Sequence, residues 1–399
     1  MSRGRKIRLL LRKAPVLALL LGLSACQSGN DVSEVLDPRT AGDDQAVTQA
    51  PSTPQKAITL GQGSVRVSML LPLSAPGNVG DEGRKMRDGA RLAMTDMGND
   101  LITLTIEDTR GDPKLAGKMT LEAMGSGAKA VIGPTELAAA KRLTQVSGEK
   151  RPPVLVLAEN FAGSPGIYSV RLSEADSAAA AAAALAAKGK RKFVLFVAEG
   201  GDVEATSKRV TNSLSVYGAQ LVMTLPYRTA GGGAEKAASD MAALIDKPEA
   251  VIVASGSTNP SAIISPLRTK GVLGKGAALI GTSRWLAHPL NDPLLEGAYI
   301  AALDDGETGP IAARFKATFN YDADVNVAYA YDMVALTAGI ASAAGPKGLT
   351  RKVLENKTGF RGSTGLFRFR PDGASERSMP FYQVKNGSLK KIEQSISGF

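Results

Sequence analysis

Residues 65–71, Val65-Arg-Val-Ser-Met-Leu-Leu71, are the first of a series of short apolar segments that predict buried β-strands. The segment ends at Pro72, and residues 84–97 then carry apolar side chains at helical spacing. Residues 101–106 alternate between apolar and polar side chains and predict a second strand. This order of strand, helix and strand is typical of a βαβ unit in a parallel sheet.

The same rhythm continues through the chain and predicts an α/β fold. Further strand cores are predicted at 130–132, 154–157, 193–197, 220–223, 250–253, 278–280 and 298–302. Because one sheet would be large for so many strands, we expect two doubly wound parallel-sheet lobes. Ser173 and Asp176 have capping-box spacing before an alanine-rich run to Lys188, which predicts the first helix of the second lobe. The final stretch, residues 359–373, reads as a turn-rich β segment.

The N-terminus has the layout of an export signal. Six basic and no acidic residues precede Cys26, and residues 14–23 form an apolar run that is too short for a comfortable membrane span. Leu23-Ser24-Ala25-Cys26 resembles the lipobox of bacterial lipoproteins, whose cysteine sulfur carries a diacylglycerol. We therefore expect a signal peptide over residues 1–25 and a lipid anchor on Cys26; an ordinary secretory signal is the alternative.

Charge and composition narrow the classes of function. The net charge is +10, but removal of the signal leaves 42 basic against 38 acidic residues. With no basic block that contains interleaved aromatics, nucleic acid is not an expected partner. Residues 26–61 are poor in apolar side chains and predict a disordered tether behind the lipidated cysteine.

Catalytic chemistry finds little support in the sequence. Cys26 is the only cysteine and His288 the only histidine, which excludes a His/Cys zinc cluster and makes a Ser-His-Asp triad improbable. No phosphate-binding or nucleophile-elbow motif is present. Tyr329 and Asp332 fall on a predicted helix and are expected to make packing and hinge-side contacts. The sequence therefore predicts a protein that is not an enzyme, with no catalytic residue, metal or cofactor.

Several motifs together resemble the type I periplasmic binding proteins of the leucine/isoleucine/valine-binding group. The motifs are Met69-Leu-Leu-Pro-Leu-Ser74, Glu107-Asp-Thr-Arg-Gly-Asp-Pro113, Val131-Ile-Gly-Pro134, Ala328-Tyr-Ala-Tyr-Asp332 and Phe360-Arg-Gly-Ser-Thr-Gly-Leu-Phe-Arg-Phe369. The resemblance covers about residues 62 to 395. It implies two lobes joined by three hinge crossovers, which we expect near residues 170–173, 281–284 and 359–365. The first lobe would comprise residues 62–170 and 285–358, and the second residues 171–284 and 359–399.

In this family, ligands lie in the cleft at the carboxyl ends of the strands. The candidates for the cleft lining are Ser74, Thr135, Glu159, Asn160, Asp202, Ser283 and Arg284. The family usually holds an amino-acid carboxylate with hydroxyl groups in the loops that follow Pro134 and Pro153, but apolar residues and Glu159 occupy these loops here. Glu136 and Glu159 would repel a carboxylate.

Two functions remain open. The first is an accessory lipoprotein that activates penicillin-binding peptidoglycan synthases, as some relatives of this fold do. It is favoured by the expected lipid anchor, by the tether, and by Gln27, which usually permits sorting to the outer membrane in Gram-negative cells. The alternative is a substrate-binding lipoprotein of an ABC importer for amino acids or similar small polar solutes, with the permease as its partner. The fold supports this alternative only by analogy.

Overall fold

The computed structural model describes residues 53–146, 151–244, 248–303 and 305–393. Cys26 and the predicted signal peptide lie outside the described residues, as does nearly all of the predicted tether. The folded body is the compact unit that begins at Thr53.

The first sheet has six strands in the order β1-β3-β2-β4-β5-β6. Strands β2 to β6 are parallel, whereas β1 pairs antiparallel with β3 at the edge. The strands are β1 (Ile58–Leu60), β2 (Val65–Leu71), β3 (Ile102–Asp108), β4 (Ala130–Ile132), β5 (Val154–Val156) and β6 (Ile167–Ser169). Helices α1 (Gly77–Ala93), α2 (Pro113–Gly125) and α3 (Leu137–Leu143) connect them. Buried aliphatic side chains on both faces fit a parallel sheet that is covered by helices.

Helix α1 begins seven residues before the predicted helix and gives way to a π-helical turn, Met94–Gly98. Its first turns are glycine-rich and carry little apolar pattern, so sequence periodicity could not detect them. Close packing explains Gly80, because a Cβ there would lie 1.9 Å from the Ala75 carbonyl oxygen, whereas Gly77 has a positive φ of 60°.

The second sheet has seven strands in the order β16-β15-β11-β10-β9-β7-β8. The strands are β7 (Lys192–Ala198), β8 (Gln220–Tyr227), β9 (Ala250–Ala254), β10 (Ala278–Ile280), β11 (Tyr299–Ala301), β15 (Phe381–Lys385) and β16 (Ser388–Glu393). Strands β7 to β11 are parallel, and β15 and β16 add an antiparallel edge. Helix α4 (Glu174–Ala187) leads from β6 of the first sheet into β7, and helices α5 (Val203–Ser215), α6 (Gly233–Leu244) and α7 (Ser261–Thr269) connect the strands from β7 to β10. The predicted capping box of Ser173 and Asp176 is confirmed at the start of α4.

The chain then returns to the first lobe through α8 (Asp305–Phe319), α9 (Val325–Ala344) and α10 (Arg351–Leu354). The helix over Val325–Lys347 has the length and composition of a membrane span, but 67% of its apolar window is buried inside the protein. A helix that is apolar all round and enclosed by its own protein is a core helix. Helix α9 packs along α1 and β3 in the main core of the first lobe.

A third, antiparallel sheet contains β12 (Phe360–Gly362), β13 (Gly365–Phe369) and β14 (Ser375–Arg377). Phe367 and Phe369 lie in the core of the first lobe, and the Phe369 ring is 5.0 Å from that of Tyr168. The prediction of two doubly wound parallel sheets is therefore confirmed, with this small sheet added near the hinge.

We propose that two crossovers lie later in the chain than the sequence analysis expected. The return near residues 281–284 is displaced, because the buried Trp285 donates from its indole nitrogen to the Val253 carbonyl (3.1 Å) and β11 pairs with β10. The third crossover follows Arg377, because the phenylalanines of β13 belong to the first core. We propose that the first lobe comprises residues 53–170 and 305–377, and the second residues 171–303 and 381–393.

Candidate functional site

A cavity of about 520 Å³ lies between the two lobes. Glu159 follows β5 at the carboxyl edge of the first sheet, and Arg284 lies in the 3₁₀ turn Ser283–Ala287, after β10 of the second sheet. Arg171 reaches the cavity from the crossover between β6 and α4. Much of the remaining wall is apolar and includes Leu172, Leu286, Leu303, Ile311, Val327 and the ring face of Tyr329.

Glu159 links two arginines across the cavity. One carboxylate oxygen accepts from Arg171, and the other accepts from Nη2 of Arg284 at 2.7 Å. Arg171 also lies 3.5 Å from a carboxylate oxygen of Glu82. Burial acts to raise the pKa of Glu159, but the guanidinium groups of Arg171 and Arg284 outweigh it, and the net shift is downward. Glu159 is therefore an ionised carboxylate that joins the lobes.

Helix α4 holds the loops of the second lobe in position. One Glu174 carboxylate oxygen accepts from the Gly256 amide (3.1 Å) and from the Thr282 hydroxyl (2.7 Å). The Ser177 hydroxyl accepts from the Ser283 amide at 2.8 Å. These bonds fix the turn that carries Ser283 and Arg284, so Arg284 projects from a braced segment.

The loops of the first lobe are held by buried carboxylates. Asp108 accepts from the amides of Ser74 (3.1 Å), Arg110 (2.9 Å) and Gln55 (2.9 Å). Burial acts to raise the pKa of Asp108, but these hydrogen bonds lower it overall. Glu136 accepts from the Thr109 hydroxyl and the Thr135 amide, and burial raises its pKa.

The structure brings together three of the seven candidate cleft residues, Glu159, Ser283 and Arg284. The other four are not among the lining residues of this cavity. The backbone amides of Ser74 and Thr135 donate to the carboxylates of Asp108 and Glu136, respectively. Asn160 has a positive φ of 55°, and Asp202 caps α5 by accepting from the Ala205 amide.

Sequence reasoning missed Arg171, which lies inside a predicted crossover that could have drawn attention to it. The expected repulsion of a carboxylate by Glu159 is offset by the two guanidinium groups that flank it. Among the residues that the structure describes, no group of three or more His, Cys, Asp or Glu side chains is placed to hold a metal ion.

A buried hydrogen-bond network crosses the hinge next to the cavity. Asp332 on α9 accepts from the amides of Ser363 (2.7 Å) and Thr364 (2.9 Å) and from both hydroxyls. Arg377 donates to the Thr364 hydroxyl and to the Val170 carbonyl (2.7 Å). The Tyr329 hydroxyl accepts from the Leu172 amide at 3.0 Å, so the predicted hinge-side role of Tyr329 and Asp332 is confirmed.

The sequence profile of a family described as periplasmic binding protein matches residues 64–388. No curated protein matches the chain. Among solved structures, a putative branched-chain amino acid ABC transporter protein from Rhodospirillum rubrum is similar, with a TM-score of 0.65, 17% identity, and coverage of 82% of this chain and 99% of that one. A branched-chain amino acid transporter protein from Rhodopseudomonas palustris gives a TM-score of 0.62 and 15% identity, covering 83% of this chain and 96% of its own.

A substrate-binding protein from Desulfitobacterium hafniense, in complex with Leu, gives a TM-score of 0.56 and 16% identity and covers 82% of this chain and 99% of its own. At these identities the structural likeness carries the fold alone, whereas the profile spans most of the chain. The chain therefore belongs to the periplasmic binding protein family and has its type I fold; the proteins of that family are periplasmic and bind substrates without converting them.

Proposed function

We propose that the protein is a receptor that binds a small zwitterionic solute, of the amino-acid class, between its lobes and delivers it to an ABC permease. The observation that carries this proposal is the pairing of Glu159 with Arg284, from opposite lobes, at the wall of a largely apolar cavity. A zwitterionic solute carries one negative and one positive group, so its negative group can pair with Arg284 and its positive group with Glu159.

The charges of the cavity suit exchange with such a ligand. The carboxylate of the solute would bind Arg284 and Arg171, and the ammonium group of the solute would bind Glu159. These contacts would replace the ion pairs of Glu159 with the two arginines. An apolar side chain would contact Leu172, Leu303 and Val327. Because the charges come from both lobes, binding would favour closure of the lobes around the solute.

The solved relatives support this class of ligand by analogy. One is a complex with Leu, and others are named as branched-chain amino acid transporter proteins. A solute-binding protein from Rhodopseudomonas palustris, with a TM-score of 0.55, is a complex with benzoate, a carboxylate without an ammonium group. The acidic Glu159 in the present cavity favours the zwitterion over the simple carboxylate.

Activation of peptidoglycan synthases is the second candidate function. It is favoured by the ion pair between Glu159 and Arg284, which neutralises both charges and joins the two lobes. The lipobox at Cys26 and the residues that separate it from Thr53 would let this body reach partners in the wall layer. In this case, the outer surface of one lobe would dock a synthase domain and shift its active population.

Thermal stability against a panel of amino acids and small polar metabolites separates the two candidates. A solute at a hundredfold excess over its Kd should stabilise the native protein by about 2.7 kcal/mol. Glu159→Gln and Arg284→Gln should each weaken binding at least tenfold, whereas Glu199→Gln, on an exposed pair with Arg228, should leave it unchanged. If no compound raises the melting point of a well-folded sample, the receptor proposal is wrong, and affinity capture of peptidoglycan synthases tests the second candidate.

The lipid anchor is a separate proposal, which rests on Leu23-Ser24-Ala25-Cys26. We propose that Cys26 is lipidated and holds the protein to the outer membrane. In a Gram-negative host, the wild-type protein should sediment with outer-membrane vesicles after sucrose-gradient separation. Cys26→Ser should appear in the soluble periplasmic fraction, and equal distribution of the two proteins would contradict the anchor.

A further inference from the structure

A second cavity, of about 430 Å³, lies between α4, α5 and the small antiparallel sheet. It shares no lining residue with the interlobe cavity. A stacked pair of side chains separates the two cavities. Arg377 lines the second cavity, Tyr329 lines the interlobe cavity, and the Arg377 guanidinium lies 5.0 Å from the Tyr329 ring centroid.

The floor of this second cavity is made by the alanine run of α4. Ala180 and Ala183 are half-buried and line it, and their short side chains leave space that longer ones would occupy. Met379 and the largely exposed Val216 (77%) supply further apolar wall. A cavity of this size with an apolar floor can hold the body of a small molecule.

Positive charge exceeds negative charge around the same cavity. Four arginines line it against two carboxylates, Asp176 and Glu376. Arg209 lies 2.5 Å from Asp176, while Arg368 and Arg370 share Glu376. Three of the four arginines therefore form ion pairs with the two carboxylates, Arg209 with Asp176 and the other two with Glu376.

Arg377 is the fourth arginine and is only 6% exposed. Its two terminal nitrogens donate to Thr364 and Val170, but its Nε has no hydrogen-bond partner. Within the part of the chain that the structure describes, no carboxylate is in ion-pair contact with it. The faces of Tyr329 and Phe367 offset part of the cost of burying this cation. The nearest carboxylate of the hinge network, Asp332, reaches Arg377 only through the Thr364 hydroxyl. The unpartnered Nε and the excess of guanidinium groups therefore suit the cavity to an anion.

We propose that this cavity is a second ligand site, distinct from the interlobe cavity, and that it binds a small amphiphilic anion. The anionic head, a carboxylate or a phosphate, would lie near Arg377 and Arg209 and offer an acceptor to the unpartnered Nε of Arg377. The short apolar body would lie on the alanine floor of α4. A neighbouring cavity of about 210 Å³ shares Asp176, Arg209 and Arg370 and adds one cation, Lys208, and one carboxylate, Asp372.

Isothermal titration calorimetry with hexyl phosphate, inorganic phosphate and hexanol tests the proposal on the purified protein. Hexyl phosphate should bind at least tenfold more tightly than inorganic phosphate or hexanol, because only it has both the charge and the apolar body. Equal affinity for hexyl phosphate and hexanol, or no binding of hexyl phosphate at millimolar concentration, would overturn the proposal.

Variants locate the binding. Ala183→Leu fills the floor and should weaken hexyl phosphate binding at least tenfold, whereas Ala187→Leu, at the exposed end of the same helix, should not change it. Should Ala183→Leu fail to fold, Arg370→Gln on the partly exposed rim should lower the affinity at least threefold. Arg284→Gln should have no effect, so a loss of binding in that variant would place the probe in the interlobe cavity and contradict this second site.

Discussion

The interlobe cavity and the hinge both hold arginines near carboxylates, but they differ in burial. The side chains of Glu159 and Arg284 are 41% and 38% exposed, whereas Asp332 and Arg377 are 2% and 6% exposed. Partly exposed ion pairs contribute little to stability, typically 0–1 kcal/mol, because water competes for both partners. Removing one member of a buried polar network leaves its partners unsatisfied and typically costs about 3–5 kcal/mol.

This difference suggests a division of roles between the two regions. The charges of the cavity can exchange partners at low cost, as a binding site requires. The hinge network holds Val170 and Thr364 in one arrangement and sets how the lobes meet. Substitutions in the hinge should therefore change stability, and substitutions in the cavity should change binding.

The largest effect is expected from Asp332→Ala. It leaves the Ser363 and Thr364 amides without their acceptor and should destabilise the protein by about 3 kcal/mol or more, measured by urea unfolding. Asp322→Ala removes an exposed carboxylate that pairs with Lys316 and should change stability by less than about 0.5 kcal/mol. Equal effects of the two variants would remove the contrast between the hinge and exposed ion pairs.

An intermediate effect is expected from Gly362→Ala. A Cβ at this position would lie 2.5 Å from the Asp332 carboxylate, so the turn must shift, at a cost of about 1–3 kcal/mol. Gly339→Ala on α9 is the matched control, because a Cβ there has open space and alanine favours the helix. Thermal unfolding should show a loss of stability for the first variant and a small gain for the second; the same sign for both would contradict the proposed packing.

The smallest effect is expected from the pH dependence of the cavity. The folded-state pKa of Glu159 lies below its ordinary value of 4.5, so its contribution to stability is present above that value. The contribution is lost as the pH falls through the folded-state pKa. Because the pair is partly exposed, the stability difference between wild type and Glu159→Gln should be below about 1 kcal/mol at pH 7 and should shrink as the pH falls below 4.5.

Urea unfolding of both proteins across this pH range is the measurement. A difference that grows as the pH falls would contradict the ion pairs of Glu159 with Arg171 and Arg284.

Local sequence patterns predicted most of the fold. Most strands of the two parallel sheets are short apolar runs, and Ser173 with Asp176 marks the start of α4. Each of these signals is contained in a few consecutive residues, so it can be read from the sequence. The rule that ligands bind at the carboxyl ends of parallel strands led to the prediction of Glu159, Ser283 and Arg284 as cleft residues, and all three line the interlobe cavity.

Long-range contacts explain what the sequence could not predict. Arg377 meets the Val170 carbonyl across 207 residues, and no periodicity connects the two. The packing of Phe367 and Phe369 against the first core, which displaces the third crossover, is likewise a tertiary contact. Ser74 and Asp202 are also polar residues in loops that follow strands, so the same rule selected them as cleft candidates. In the structure, the Ser74 amide donates to Asp108 and Asp202 caps α5, so both residues stabilise their own loops.

Measurement of the distance between the lobes tests most directly whether a solute replaces the ion pair between Glu159 and Arg284. With Cys26 replaced by alanine, Arg142→Cys and Lys275→Cys would place one spin label on an exposed site of each lobe. Pulsed electron resonance would then measure the distance distribution with and without the solute that raises the melting point. In the otherwise wild-type protein, the distribution should narrow on addition of that solute, and in Arg284→Gln it should start broader and not respond. Identical distributions in the two proteins, with and without solute, would contradict the pairing of Glu159 and Arg284 as the element that a ligand replaces.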